Sequence, residues 1–235
     1  MLNPRPSLST IDVGGPRPCV VADAALLEPQ ALVELSAVHR ASFVRAAGSA
    51  YPGLELPLPE SVVERFCEHY LAHVSALHGV RQVLRAQGRL SMVTLQPHEL
   101  AAIQRVCHRD RLFARPGECA IAAVLYLHAD PELGGTSFFR PRLDAERTEE
   151  LMRALARNDE AAHARLAGQG PGYLTRSSPH FELTATVPAR WNRLIWYDGS
   201  QFHGSHVEHP QRLSPDPFSG RLTLNLFLHG RCEGS

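Results

Sequence analysis

The 235-residue sequence contains no lysine, so all 24 of its basic side chains are arginine. A Schiff base, a phosphate-binding loop lysine and a lysine general base each need a primary amine, and these three kinds of site are therefore excluded. A GC-rich coding sequence accounts for the bias, but the chemical restriction holds whatever its origin. Any site that binds an anion through side-chain charge must use arginine or histidine.

Net charge, long apolar runs and paired cysteines are also absent. The 24 basic side chains balance 24 acidic ones, so no net field attracts nucleic acid or an anionic membrane, and we expect neither as a partner. No stretch approaches the roughly 18 apolar residues of a membrane span, and residues 1–10 do not have the pattern of a signal peptide. The five cysteines are odd in number and form no CxxC pair. They predict free thiols and a reducing, cytoplasmic location.

The order of the predicted elements indicates one domain, residues 19–232, after a Pro/Gly-rich lead-in of residues 1–18. A charged segment at about 143–167 is predicted as an insertion of one or two helices. Helices first and short strands afterwards favour an α+β, mainly β domain built on an antiparallel sandwich or barrel. The predicted strands are residues 19–22, 80–97, 119–128, 136–139, 192–197, 201–207 and 221–228, the predicted helices are residues 32–44, 60–77 and 145–166, and a proline-rich loop begins at Tyr51.

The last predicted strand, residues 221–228, alternates cleanly between two kinds of side chain. Because successive side chains on a strand point to opposite faces, its four leucines share one face, which must pack under helices. The other face carries Arg221, Thr223, Asn225 and Phe227. A solvent-facing edge would explain this polar face, and so would a polar-lined cavity, which we favour if metal ligands converge there.

Thirteen histidines are too many for all of them to be ligands, so their spacing has to select candidates. His108 and Asp110 would lie side by side on one face of a strand, as two of the three ligands of a 2-His-1-carboxylate iron site. A third ligand must come from a distant part of the chain. Both His203 and His206 are available, but on a strand they have opposite parity, so at most one can face the same interior.

Five motifs in order resemble those of the Fe(II)/2-oxoglutarate-dependent dioxygenases, whose fold is the double-stranded β-helix, a jelly-roll barrel. These motifs are His108-Arg-Asp110, Leu125-Tyr-Leu-His128, Gly134-Gly-Thr-Ser-Phe138, Phe202-His203 and Arg221-Leu-Thr223. The sequence is more specifically similar to a bacterial group of small uncharacterised members, the DUF6445 type. That similarity is carried by Tyr51-Pro-Gly53, Asn192-Arg-Leu194 and Gly220-Arg-Leu-Thr223. Together the resemblances cover roughly residues 20–230, and they imply N-terminal helices packed on one sheet of the barrel.

The resemblance implies a set of site residues and cofactors. His108, Asp110 and His203 would be the catalytic iron ligands, with His203 preferred to His206 because FHGS fits the pattern of the group. 2-Oxoglutarate would be bound through Arg221, assisted by Thr223 and Tyr126, and O2 would be the second cosubstrate. The 18-residue interval from His203 to Arg221 is longer than usual and requires an extra loop.

The implied activity is hydroxylation of a small molecule, an amino acid or a peptidyl residue, with release of succinate and CO2. The carboxylate of Asp110 favours hydroxylation, because halogenating relatives have a small residue at that place. Three alternatives stay open from the sequence: a metal-binding, cupin-like sensor or other non-enzymatic module, a hydrolytic zinc site, and a scaffold without metal. The substrate and the assembly state are also open, with a homodimer as one option.

Overall fold

The computed structural model describes residues 1–45, 50–110 and 116–232. These residues form two antiparallel sheets. The strands are β1 Ser7–Ile11, β2 Cys19–Asp23, β3 Gly53–Pro57, β4 Val80–Val93, β5 Glu118–Tyr126, β6 Thr136–Pro141, β7 Phe181–Val187, β8 Leu194–Asp198, β9 Phe202–Ser205 and β10 Arg221–Cys232. The helices are α1 Gln30–Val38, α2 Glu60–His73, α3 Ser75–His78, α4 Ala145–Ala156 and α5 Glu160–Ala164.

The larger sheet has seven strands in the order β1-β2-β8-β5-β10-β4-β3. Its centre is β10, which pairs with β4 on one side and with β5 on the other. The four alternating leucines of β10 are fully buried in one cluster with Val33 of α1 and with Phe66 and Tyr70 of α2. The prediction that the leucine face packs under the N-terminal helices is confirmed.

The smaller sheet has three strands in the order β7-β6-β9 and covers the opposite face of the larger one. Phe138 of β6 and Val187 of β7 pack against Val124 of β5 and Ile195 and Tyr197 of β8. Two antiparallel sheets closed over a shared interior, with helices outside the larger one, make up a double-stranded β-helix. The fold-class prediction is confirmed.

The predicted helices are present with different bounds. The helix predicted at 60–77 divides at Val74, where the φ of −119° departs from helical geometry, into α2 and α3. The helix predicted at 32–44 ends at Val38 and is followed by a short 3-10 turn. The charged insertion forms the two helices α4 and α5, whose N-termini are capped by the carboxylates of Asp144 and Asp159.

Three strands lie where none was predicted, and one of them is β7, which pairs with β6. Residues 7–11 of the lead-in form β1, which pairs with β2 and extends the large sheet. The loop predicted to begin at Tyr51 becomes β3 at Gly53, paired with β4. A Cβ atom at Gly53 would lie 1.9 Å from the carbonyl oxygen of Met92, so glycine is required for this close strand approach.

The prediction of five free thiols is wrong for two of the cysteines. Cys119 and Cys232 form a disulfide, and only Cys19, Cys67 and Cys107 are free. Pairing of β5 with β10 places Cys119 opposite Gly230, which brings the two cysteine Cα atoms to 6.1 Å, within bonding range. Among the described residues, no helix combines the length and the apolar composition needed to cross a bilayer.

Candidate active site

His108 and Asp110 lie in an extended segment beside β9 and not in a regular strand, which corrects the predicted secondary structure. The backbone N–H of His108 donates to the His203 carbonyl at 2.9 Å, and the N–H of His203 donates back at 2.8 Å. The N–H of Asp110 donates to the Gly199 carbonyl at 2.8 Å. These bonds keep the strand-like alternation, so His108 and Asp110 face one side. Arg109 stacks on the Phe202 ring instead, with its guanidinium carbon 4.8 Å from the ring centroid.

His108, Asp110 and His203 converge at one point. One ligand atom from each residue lies within 4.8 Å of those from the other two. The Nε2 atom of His108 is 3.8 Å from Oδ1 of Asp110, and the Nε2 atom of His203 is 3.5 Å from Oδ2 of Asp110. Among the described residues, the buried Oδ2 has no hydrogen-bond partner. Two imidazoles, one carboxylate and an unsatisfied buried oxygen fit a divalent metal ion.

Hydrogen bonding fixes the orientation of His203. Its Nδ1 lies 2.9 Å from the backbone carbonyl of Gln201, so Nδ1 carries the proton and donates it there. The lone pair of Nε2 is then directed toward Asp110. A carbonyl that fixes the tautomer of an imidazole in this way is a usual feature around metal ligands.

His206, the other candidate for the distal ligand, lies outside this cluster. Its Nδ1 is 2.7 Å from the Ser137 hydroxyl, and its Nε2 is 3.6 Å from a Glu208 carboxylate oxygen. The opposite parity expected for positions 203 and 206 is therefore observed, and the structure brings His203 to His108 and Asp110.

The protonation states of the cluster suit metal binding. Burial lowers the pKa of His203 to about 4. It lowers the pKa of His108 to about 4 as well, helped by the neighbouring His203, although 43% of the His108 side chain reaches solvent at the cavity mouth. Both imidazoles are therefore neutral near pH 7, which is the form that ligates metal.

The polar face of β10 lines the cavity that contains His108 and His203, which favours the cavity interpretation of that face over a solvent edge. The Arg221 side chain is buried there, with 2% exposed. Its Nε donates to the Leu133 carbonyl at 2.9 Å and its Nη2 to the Gly135 carbonyl at 2.7 Å. The Gly-Gly-Thr turn thus positions the guanidinium.

Glycine is required at the first position of this turn. Gly134 has a φ of 75°, and a Cβ atom there would lie 1.6 Å from the His206 carbonyl oxygen.

Thr223 and Tyr126 have different relations to this cavity. Thr223 lines it, and its hydroxyl makes a long bond of 3.4 Å to the Ser91 carbonyl. Tyr126 is fully buried, and its hydroxyl lies 2.8 Å from the hydroxyl of Thr136. Thr136 is among the residues that line the cavity, and Tyr126 contacts this wall residue from the buried side.

The cavity wall also includes Tyr51, Arg89 and Tyr173, which were not predicted as site residues. Tyr51 lies beside Thr223, and burial raises the pKa of its phenol to about 12. Arg89 reaches the cavity from β4, and Tyr173 from the segment before β7, where its hydroxyl donates to the Leu95 carbonyl at 2.7 Å. The Tyr51-Pro-Gly motif was a usable signal for Tyr51. No sequence pattern marked Arg89 or Tyr173, because their positions depend on strand pairing and on a long loop.

A family model described as "Family of unknown function (DUF6445)" matches residues 4–228. The chain belongs to the DUF6445 family. No curated protein matches it.

Solved structures similar to this DUF6445 chain include three proteins at low identity. The non-haem α-ketoglutarate-dependent epimerase SnoN from nogalamycin biosynthesis is 13% identical, with a TM-score of 0.47, over 92% of this chain and 80% of its own. Iron-bound HygX from Streptomyces hygroscopicus is 16% identical, with a TM-score of 0.46, over 91% and 82%. AviO1 from Streptomyces viridochromogenes Tue57 is 16% identical, with a TM-score of 0.44, over 92% and 91%. Similarities of this size transfer no activity to this chain.

Proposed function

We propose that this DUF6445 protein is a non-haem Fe(II)- and 2-oxoglutarate-dependent oxygenase that hydroxylates a small molecule, an amino acid or a peptidyl residue. The observation that carries the proposal is the convergence of His108, Asp110 and His203, two of which, His108 and His203, line the same cavity as Arg221. Among the described residues, Asp110 Oδ2 is buried without a hydrogen-bond partner, and a bound cation would compensate the cost of burying this oxygen.

His108, Asp110 and His203 would hold the iron ion. Three protein ligands leave open coordination positions for a chelating cosubstrate and for O2. When bound, the metal would supply the oxidation of 2-oxoglutarate by O2 to succinate and CO2 that accompanies hydroxylation. The residues of this chain orient the reactants, keep the two imidazoles neutral and exclude water from the interior behind Phe138 and Tyr197.

Arg221 would bind the distal carboxylate of 2-oxoglutarate. Its guanidinium has a fixed orientation because two carbonyls of the turn accept from Nε and Nη2. A planar guanidinium can present two parallel N–H groups to a carboxylate, and in a chain without lysine it is the strongest available anchor. Thr223 lies two residues along the same strand face and lines the same cavity. A hydrolytic zinc site would use the same three ligands, but it would not explain why a buried arginine, Arg221, lines the cavity.

The test is anaerobic addition of Fe(II) and 2-oxoglutarate to the purified chain. We expect a visible charge-transfer band, and its loss in His108→Ala and in Asp110→Ala because each variant removes one ligand. His206→Ala is the matched control and should keep the band, since His206 bonds Ser137 outside the cluster. No band at saturating ligand, or unchanged iron binding in both ligand variants, would overturn the proposal.

A further inference from the structure

A second guanidinium, that of Arg89, lines the same cavity as Arg221 and the candidate metal ligands His108 and His203. Arg89 lies on β4 directly opposite Asn225 of β10, and Thr223 is opposite Ser91 two positions along. Directly opposite residues of an antiparallel pair share a face, so Arg89 belongs to the inward polar face. The proposed function assigns Arg221 to binding 2-oxoglutarate and assigns no role to Arg89.

The Arg89 side chain is held in place by two neighbours and still faces the cavity. Its Nε pairs with Oε1 of Glu55 at 2.8 Å, and its guanidinium carbon lies 4.6 Å from the Phe227 ring centroid. The side chain lines the cavity, and 33% of it is exposed. A ligand in the cavity can therefore reach an oriented, partly dehydrated pair of donors.

Arg89 shares a cavity with two of the candidate metal ligands. The residues that line this cavity include Arg89, His108 and His203. A group bound to the Arg89 guanidinium from the cavity side therefore lies in the same space as the candidate ligands.

Arg89 also stands where the cavity meets a second depression. Arg89 and Phe227 line both the cavity and an adjoining groove, whose wall includes Pro57, Leu58 and Val63. A molecule that extends from this apolar groove toward His108 must pass the guanidinium. The groove also carries Glu60 and the Glu55 that pairs with Arg89.

We infer that Arg89 binds a carboxylate of the substrate, so that the protein acts on a small carboxylic acid whose apolar part lies in the groove. The inference rests on the proposed function and deepens it by naming the substrate class. Two parallel N–H groups match the two oxygens of a carboxylate, and an amide in the same place offers only one acceptor oxygen.

The experiment compares acids with matched neutral probes. The full chain, held anaerobically with Fe(II) and saturating 2-oxoglutarate, is titrated calorimetrically with N-acetyl-L-amino acids that have apolar side chains and with the corresponding amides. The tightest acid should bind at least tenfold more tightly than its amide. Arg89→Gln should remove that preference while changing 2-oxoglutarate affinity less than twofold. Arg89→Lys, which keeps the positive charge but not the two parallel N–H groups of the guanidinium, should retain part of the preference.

Arg140→Gln is the control, because Arg140 is an exposed arginine that pairs with Glu182 away from the cavity. Failure of every acid to bind, equal affinity for acid and amide, or a preference that survives in Arg89→Gln would overturn the inference. A large loss of 2-oxoglutarate affinity in Arg89→Gln would also overturn it, since Arg89 would then belong to the cosubstrate site. An Arg89-dependent preference in a chain that does not bind 2-oxoglutarate would instead refute the proposed function alone.

Discussion

At the scale of single residues, Arg221 depends on its exact geometry and not only on its charge. Lysine at this position would keep the charge but could not donate in parallel to the Leu133 and Gly135 carbonyls and to a ligand. We expect Arg221→Lys to weaken 2-oxoglutarate binding by roughly 10–100-fold, the loss of about one or two charged hydrogen bonds, with iron affinity nearly unchanged. Anaerobic titration of each ligand separately measures both. Equal losses of iron and 2-oxoglutarate affinity would mean that Arg221 is structural.

His128 gives a prediction about acid stability. It is buried, and burial, followed by the charge of Arg221, lowers its pKa from 6.5 to about 4. An unfolded chain takes up a proton as the pH falls below 6.5, whereas the folded chain does not until about pH 4, so stability is lost across that window. Above pH 6.5 both states are neutral and the group has no effect.

Replacing His128 by Gln should therefore reduce the pH dependence of unfolding. Between pH 7.5 and pH 5.0, urea unfolding should show a loss in the wild-type chain that exceeds the loss in His128→Gln by about 2 kcal/mol. His163→Gln, on α5, serves as the control histidine change. An identical pH dependence of wild type and His128→Gln would show that His128 titrates normally in the folded chain.

At the scale of elements, β10 separates stability from ligand binding by the direction of its side chains. Leu224 is fully buried in the cluster under the helices, while its neighbour Thr223 lines the cavity. Leu224→Ala should lower the free energy of unfolding by about 2–5 kcal/mol, because it removes transfer energy and leaves a void. Thr223→Val should leave that free energy within about 1 kcal/mol and weaken 2-oxoglutarate binding instead. Urea unfolding with binding titrations on both variants tests this, and the reverse pattern would contradict it.

The same strand shows how much of the site was predictable. A period of two is a local property, so the alternation in β10 predicted both its buried leucines and its cavity face. The same period predicted that His108 and Asp110 face one side. The extended segment that contains them is nevertheless held by hydrogen bonds to residues far along the chain, Gly199 and His203. Arg89 was not predicted as a site residue, because its place depends on which strand pairs with β10 and in which register. The register between two strands that are far apart in the chain, such as β4 and β10, cannot be read from a single sequence.

At the scale of the whole molecule, the Cys119–Cys232 disulfide joins the start of β5 to the end of β10 across 113 positions of sequence. The disulfide could not be predicted from the five cysteines and their spacing, because the two cysteines come together only when β5 pairs with β10 in the folded barrel. Disulfides are rare in reducing compartments, so this bond bears directly on the predicted cytoplasmic location, which stays a prediction. There the two thiols would be reduced and the fold would rely on its core alone.

Closing so long a loop restricts the unfolded chain far more than the folded one, so the bond should stabilise the protein by about 2–5 kcal/mol. We expect Cys232→Ser to lower the free energy of urea unfolding by that amount under oxidising conditions, and reductant to lower wild type to the same level while leaving Cys232→Ser unchanged. Cys67→Ser, which changes a free cysteine, should keep the response of wild type to reductant. If reductant has no effect on the wild-type chain, the two strands are held by pairing and packing alone. The protein would then be equally stable with the two thiols reduced or oxidised, and this comparison therefore tests whether the bond contributes to stability.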